Sequence, residues 1–535
     1  MANNRNISCK YEDIISNSKL ICEGSPKVYQ LRTDKKTIDT LTRINVGERN
    51  VNKLNKTILL VGETGAGKST LVNALFNHMV GVKSEDEVWF EIVEEEKGKR
   101  KTESQTPDVI VYKFFGFGDE TLPYSLTIID APGFGDTRGA EHDVIISQRL
   151  LDLFRSADGV HEVNAVGLVM KASDNRLSDR QIYVLGSVMS LFGKNMEENI
   201  VALLTHSNGM PNPNAVQAIE DFKIKCARNE KNQPVHFLFD NCLNTQRTDE
   251  TEYVLETAWK VTNRGMRQFT AFLVKTGPQK MMTTVEVLKE RVRLTACIQN
   301  LQDKIKFIEQ KQTEIKQTEE ALKKHEEEMK KNKNFTVEVD EFYKDKEPIT
   351  GGMWFLVFYQ GAVCCTVCEE NCHYPGCTLA WKPAHCEVMK DGHCTACTGK
   401  CPESDHVKEN WRYVTKTRRV KKTNAEMKQK YTNNQAECEM SSSLLEELNK
   451  EMNQLTQEKA RYLQEAYEHV VRLKRLTLKA SSVSTYVPLD FLIEKMEETG
   501  DTVKVQELLE MKTQEDEGFM AAVQHIWSAV KQARE

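Results

Sequence analysis

The run Gly62-Glu63-Thr64-Gly65-Ala66-Gly67-Lys68-Ser69-Thr70 fits the pattern G-x-x-x-x-G-K-[ST] at every fixed position. It constrains the fold more than any other stretch. Glycines let backbone N–H groups turn inward around phosphate oxygens, the Lys68 ammonium reaches the β- and γ-phosphates, and the Ser69 hydroxyl ligates magnesium. Such a loop works only between a strand and a helix. Upstream, Lys56 to Val61 is a short apolar run rich in β-branched residues, and downstream Leu71, Ala74, Leu75 and Met79 recur at helical spacing. The pattern implies a nucleoside triphosphate site; a chance match in a polar loop is the bland alternative, and both flanks argue against it.

A second phosphate-site element follows. Ser125 to Ile129 reads as a strand running into Asp130-Ala131-Pro132-Gly133. An Asp in that place holds magnesium through water, and the glycine N–H senses the γ-phosphate. A hydroxyl between the two elements is needed to close over magnesium; Thr106 is the choice, with Thr102 and Ser104 competing. From Lys56 to about Thr276 strands and helices alternate: strands at 109–115, near 163, at 199 and at 235, and a helix opened by the capping box Ser178 to Gln181. Alternation of this kind predicts a doubly wound, mostly parallel sheet with nucleotide at the carboxyl ends of its strands.

GETGAGKST, DAPGFGDTRG and the flanking strands resemble the septin-type and immunity-associated branch of the P-loop GTPases, over roughly residues 50 to 275. The resemblance implies GTP/GDP and magnesium as ligands and G-domain pairing into a homodimer or oligomer. It also implies a guanine-reading [NT]-K-x-D motif, where this chain has Thr205-His206-Ser207-Asn208. His206 still stacks on a purine and Thr205 still ties this loop to the phosphate loop, but the Asn208 amide has one acceptor oxygen where a carboxylate has two. Asn241, beside Asp240, is a compensating contact from the last base-reading loop. Phe134 stands where the best-known small GTPases place a water-orienting Gln, so a lone monomer is expected to hydrolyse GTP poorly. Arg138 and His142 are the candidates to assist across a dimer face.

The remaining chain reads as a different kind of polymer. Leu301, Ile308, Ile315, Leu322 and Met329 recur every seven residues, joined by Leu294, Ile298 and Ile305, and a second heptad run spans Met427 to Leu476. The economical arrangement is a long antiparallel coiled-coil stalk, against solvated single helices or pairing with a second subunit. Nine of the 15 cysteines crowd into residues 364 to 401, which in a reducing compartment favours metal over disulfides. The C-x2-C pairs suit tetrahedral zinc. An interleaved scheme places Cys365, Cys368, Cys394 and Cys397 in one site and Cys372 or His373, Cys377, Cys401 and His406 in the other, leaving Cys364 and Cys386 spare. Segments 335–343 and 410–420 alternate like strands, suggesting a pair across the base of this module.

The expected architecture is thus an N-terminal arm (1–55) with one extended segment at Lys27 to Leu31, a P-loop GTPase α/β domain (56–277), an outgoing helix (278–334), a Cys/His zinc module at the stalk tip (335–422), a returning helix (423–480) and C-terminal amphipathic helices (481–535). A net charge of −6 supplies no global field toward nucleic acid or membrane. No apolar stretch suits a bilayer span, and the polar N-terminus lacks a secretory apolar region, so the expectation is a cytoplasmic protein. Two functions compete: a nucleotide-switched scaffold that engages an unidentified protein partner, and a zinc-module nucleic-acid-binding or ubiquitin-pathway protein regulated by its nucleotide domain. The basic strand Arg412, Lys416, Arg418, Arg419, Lys421 and Lys422 is the main support for nucleic acid, the less favoured alternative.

Overall fold

The computed structural model describes residues 11–38, 41–49, 52–94, 109–116, 123–133, 140–173, 178–210, 213–240, 242–324, 336–349, 353–354, 358–359, 361–377, 382–423, 440–478 and 483–513. Two compact units emerge. The first is built on residues 1–288 with 473–486 and 510–535, the second on 289–472 with 487–509.

In the first unit, β1 (Ser18–Cys22), β2 (Lys27–Leu31) and β6 (Val88–Glu91) form a small sheet. The main sheet contains β3 (Asp34–Ile38), β4 (Leu41–Gly47), β5 (Asn55–Gly62), β7 (Ile110–Gly116), β8 (Ser125–Asp130), β10 (Ala165–Lys171), β11 (Ile200–Thr205) and β12 (His236–Leu238), in the order β12-β11-β10-β5-β8-β7-β4-β3; the two-residue β9 (Glu162–Val163) lies outside it. The run β12 to β8 is parallel; β7 is antiparallel to β8, and β3 to β4. Burial of both faces explains the apolar run Ile58 to Val61 of β5. Ile58 and Leu60 join Leu71, Leu75 and Phe76 of helix Lys68–Val80 on one face, while Leu59 and Val61 join Ile146 and Leu150 of helix Ala140–Arg155 on the other. Both layers converge on the end of β5, so the loop after it is held from both faces.

The N-terminal segment does more than sequence periodicity indicates. Beyond β2 it supplies β1, β3 and β4, with β4 parallel to β7 at the main sheet. The capping box is present: the Ser178 hydroxyl accepts from the Gln181 N–H at 3.2 Å and the Gln181 side chain accepts from the Ser178 N–H at 2.8 Å.

In the second unit, helices Met282–Lys324 and Met440–Leu476 run antiparallel, since Glu290 meets Arg472 at 3.5 Å and Lys304 meets Glu458 at 3.7 Å. Leu294, Ile298, Leu301, Ile305, Ile308 and Ile315 are buried, as are Leu463, Ala466 and Leu473; the side chains of Leu322 and Met329 lie outside the described set. Helix Val483–Glu497 adds Lys495 against Glu309, and helix Thr502–Thr513 adds Glu507, hydrogen-bonded to Tyr467.

The cysteine module is not at the far end of the helices, which corrects the sequence expectation. Strand Thr336–Pro348 pairs antiparallel with Trp411–Thr423 over 13 residues each, and the module beyond this ribbon packs on Val292 and Ala296. Asn300 donates to the Ala396 carbonyl at 3.0 Å and Arg293 to the Glu387 carbonyl at 3.1 Å. Length explains the return: 13 residues of antiparallel ribbon span roughly 44 Å at ~3.4 Å each, and the helix from 297 to 324 spans roughly 40 Å at ~1.5 Å per residue.

Candidate nucleotide site and cysteine cluster

Gly67, at φ 93°, makes the left-handed turn that starts helix Lys68–Val80, a conformation L side chains resist. Lys68 Nζ donates to the carbonyls of Gly62 and Glu63, both at 3.0 Å. Burial holds its pKa down to about 8, with Asp130 and Glu63 pulling the other way. Ser69 Oγ donates to Asp130 Oδ2 at 3.2 Å. The two residues expected to hold magnesium are therefore already adjacent. Asp130 is fully buried at the end of β8, opposite Leu60. Gly133 lies against the phosphate loop so closely that a Cβ there would sit 2.2 Å from Thr64 Oγ1 and 2.7 Å from the Thr64 backbone nitrogen. Thr64 Oγ1 itself is buried with no hydrogen-bond partner among the described residues.

The base-reading loop leaves β11. Thr205 Oγ1 donates to the Ala66 carbonyl at 2.7 Å, the tie between the two loops that the sequence suggests. His206 is exposed with φ 53°, its Nδ1 3.1 Å from the Thr205 hydroxyl. Asn208 is exposed, and its one carbonyl oxygen accepts the Met210 N–H at 3.0 Å. Two supports escaped sequence reasoning: buried Ser207, whose N–H bonds the Phe239 carbonyl at 3.0 Å, and Thr262, whose hydroxyl accepts the Asp240 N–H at 3.0 Å. Neither sits in a pattern that would mark it. Thr106, Arg138 and Asn241 lie outside the described residues, as does the side chain of His142.

The cysteine module gathers a second constellation, with pairings that correct the interleaved scheme. Cys365, Cys368, Cys397 and Cys401 form one group; Cys372, Cys394, Cys397 and His406 form another, and in each the donor atoms lie within 4.8 Å of one another. His373 departs from both and groups with Cys386 and Glu387, so Cys386 is not spare. The C-x2-C pair at 394 and 397 stays together in the second group, and Cys397 also belongs to the first. The Cys377 side chain lies outside the described set. The Sγ atoms of Cys368 and Cys401 are 3.6 Å apart, too far for a disulfide and close to the ~3.8 Å edge of a tetrahedron with ~2.3 Å metal–sulfur bonds. Hydrogen bonds from Cys365 and Cys372 hold the Cys397 thiol down to about 4, and those from Cys372 and Cys397 hold Cys394 lower still.

In the ribbon beneath this module the cations of Trp411–Thr423 lie across from carboxylates of its partner strand. Arg418 meets Glu341 at 2.6 Å, Lys416 meets Asp345 at 2.6 Å, Arg412 meets Glu347 at 3.3 Å and Lys421 meets Glu338 at 3.5 Å. The cations face a complementary acidic strand. Among the described residues, no helix is long and apolar enough to cross a membrane.

Residues 52–151 match the family model described as Septin. No curated protein sequence matches the chain. Among solved structures, Toc33 from Arabidopsis thaliana in complex with Mg2+ and GMPPNP is 15% identical, with a TM-score of 0.29 over 42% of this chain and 86% of that one. Translation elongation factor SelB from Methanococcus maripaludis in complex with the GTP analogue GppNHp is 12% identical, with a TM-score of 0.24 over 43% and 36%. The G domain of the T. maritima FeoB iron transporter is 16% identical, with a TM-score of 0.22 over 41% and 98%. The family match spans the loop of Lys68 and Ser69 together with Asp130 and Gly133, the groups brought together at the end of β5 and β8. The first unit of this chain carries a septin-type P-loop GTPase domain.

Proposed function

We propose that the chain binds GTP or GDP with magnesium, hydrolyses GTP slowly as a monomer, and uses nucleotide state to control pairing of its G domains into a homodimer or oligomer in the cytoplasm. The antiparallel helices serve as a coiled-coil scaffold, and the cysteine module, folded around structural zinc, presents a surface to a protein partner. The observation that carries the nucleotide reading is the Ser69–Asp130 contact beneath Lys68. Magnesium would sit between the Ser69 hydroxyl and the Asp130 carboxylate, supplying charge neutralisation for the phosphates, while Lys68 leaves its loop carbonyls for phosphate oxygens.

The zinc reading is supported by the chemistry of the donors. His406 Nδ1 lies 2.9 Å from the Pro402 carbonyl, which fixes the proton there, and Nε2 is buried among the cluster thiols with no hydrogen-bond partner of ordinary geometry among the described residues. A lone pair in that position is what a metal takes. The acidic strand facing the basic one weighs against nucleic acid as the module's target.

Base preference tests the nucleotide reading most directly. The Asn208 oxygen is engaged by Met210, so its NH2 group is what remains for a base, and guanine presents donors there. One unmatched polar pair costs roughly 1–3 kcal/mol, about ten- to hundredfold in affinity. Titration with GTP, ATP and XTP should show weak discrimination against XTP, and Asn208→Asp should sharpen the preference for GTP. A wild-type preference for GTP above roughly a thousandfold, unchanged by Asn208→Asp, would remove Asn208 from base reading. Insensitivity of triphosphate binding to Lys68→Ala would overturn the whole proposal. Turnover per chain should rise with protein concentration; a constant value through the dimerisation range would exclude assistance across a dimer face.

A further inference from the structure

Among the described residues, seven side chains converge in the cysteine module, and two tetrahedral ions need eight coordination positions. Cys365, Cys368 and Cys401 lie on one side, Cys372, Cys394 and His406 on the other, and Cys397 belongs to both quartets. Of the other described thiols between 364 and 401, Cys364 points to Asn371 and the Trp411 carbonyl, and Cys386 lies 3.1 Å from His373 Nδ1; buried Cys297, beside Ala296, belongs to neither quartet. On these observations, and resting on the zinc reading above, we infer that Cys397 is a bridging thiolate in a binuclear zinc centre. With zinc–sulfur bonds of about 2.3 Å, a shared sulfur sets the two ions roughly 3.6 Å apart.

Charge favours sharing. Two separate sites of four thiolates and of three thiolates with one imidazole need seven thiolates, for a net charge of −3 with two Zn2+. A shared Cys397 needs six, for −2. Cys365, Cys372, Cys394 and Cys397 are each at most 1% exposed, where uncompensated charge is costly. Backbone donors offset the remaining charge. The N–H groups of Cys368, Gly399, Ala396, Cys397 and Cys401 all point at cluster sulfurs at 3.2–3.4 Å. The Cys397 sulfur receives the 3.2 Å bond from Cys401. Gly399 leaves the room this demands, because a Cβ there would lie 2.9 Å from Cys401 Sγ and 3.2 Å from Cys368 Sγ.

The test uses the full chain. Metal analysis should show Cys397→Ser losing two equivalents relative to wild type, Cys401→Ser losing one, and Cys377→Ser losing neither of this pair. Because Cys397→Ser is also liable to misfold, cobalt(II) is titrated into zinc-stripped wild type and followed by electron paramagnetic resonance. The high-spin signal should grow with the first equivalent and fall as the second pairs with it through the shared sulfur. A signal that doubles with the second equivalent, or a Cys397→Ser protein that loses one metal only, overturns the bridge while leaving structural zinc intact. A Cys377→Ser loss from this pair also overturns it, since an eighth donor would then exist. Less than half an equivalent of any metal in freshly isolated protein overturns both the bridge and the zinc reading.

Discussion

Gly133→Ala tests whether the contact between the two phosphate-site loops sets the chemistry. The added Cβ would lie 2.2 Å from Thr64 Oγ1, 2.7 Å from the Thr64 nitrogen and 2.8 Å from its Cα. Carbon contacts settle at about 3.5 Å. The side-chain conflict can be relieved by a rotamer change, but the backbone conflict cannot: the phosphate loop, or the chain after β8, must retreat by roughly 0.8 Å. The loop is gripped by the Thr205 bond to Ala66 and by both faces of β5, so the chain after β8 gives way and carries with it the Gly133 N–H expected to sense the γ-phosphate. A displacement near 1 Å costs on the order of 100-fold in rate. Single-turnover hydrolysis should fall by about that factor, with a smaller loss of affinity for fluorescent GTP analogues. Thr64→Ala combined with Gly133→Ala should recover little, because the 2.7 and 2.8 Å backbone contacts persist. Hydrolysis within threefold of wild type, or full recovery in the double variant, would refute the steric reasoning.

Three further outcomes are expected. Lys68, held down to about 8 chiefly by burial, is raised by bound phosphate, so nucleotide binding takes up a proton above pH 8 and affinity falls by up to about tenfold per pH unit there; calorimetry in buffers of different ionisation heat measures this, and absence of proton uptake at pH 9 would contradict it. Glu290 is pushed up by burial but brought down to about 2 by hydrogen bonds from His469 and Arg293, so its contribution is present above its unfolded pKa and lost as pH falls toward 2. Glu290→Ala, which strands buried Arg293, should cost about 3–5 kcal/mol in urea unfolding at neutral pH, while Lys304→Ala at a 3.7 Å, partly exposed pair should cost under about 1 kcal/mol; equal effects would remove the special role of Glu290. The full chain should bind duplex and single-stranded oligonucleotides only weakly at low salt, and a steep salt slope with roughly micromolar affinity or tighter would show that the ribbon cations are free for phosphate.

The nucleotide site was legible because its chemistry is local in sequence. Gly62 to Thr70 is one loop, its flanks carry opposite periodicities, and Asp130 ends a strand whose apolar run cannot be anything but buried. β3 and β4 were not legible, since Asp34–Ile38 and Leu41–Gly47 mix charged and polar residues with few apolar ones; they are strands because β7 offers an edge to pair with, which is a tertiary fact. The setting of Asn208 was only half legible. Its mismatch with a carboxylate follows from its identity, but the capture of its oxygen by Met210 depends on the turn that follows.

The second unit shows where spacing stops being informative. Heptads report which face of a helix is buried, and Leu294 to Ile315 are buried as that pattern requires. They do not report what the other side of the helix carries, which is the cysteine module on Val292 and Ala296, brought back by a ribbon whose length nearly matches the helix it retraces. Opposite charges face each other along the ribbon, with Glu341 across from Arg418 and Glu338 across from Lys421, so a strand that is strongly basic in isolation is charge-paired with its partner on an exposed surface. The cysteines repeat the lesson at shorter range. C-x2-C spacing guarantees that Cys394 and Cys397 are neighbours on one turn, and it is silent on whether they serve one ion or two. That choice is made by the strand Glu370–Cys377, which brings Cys372 beside Cys394, and by the turn at Gly399, which admits Cys368 beside Cys401.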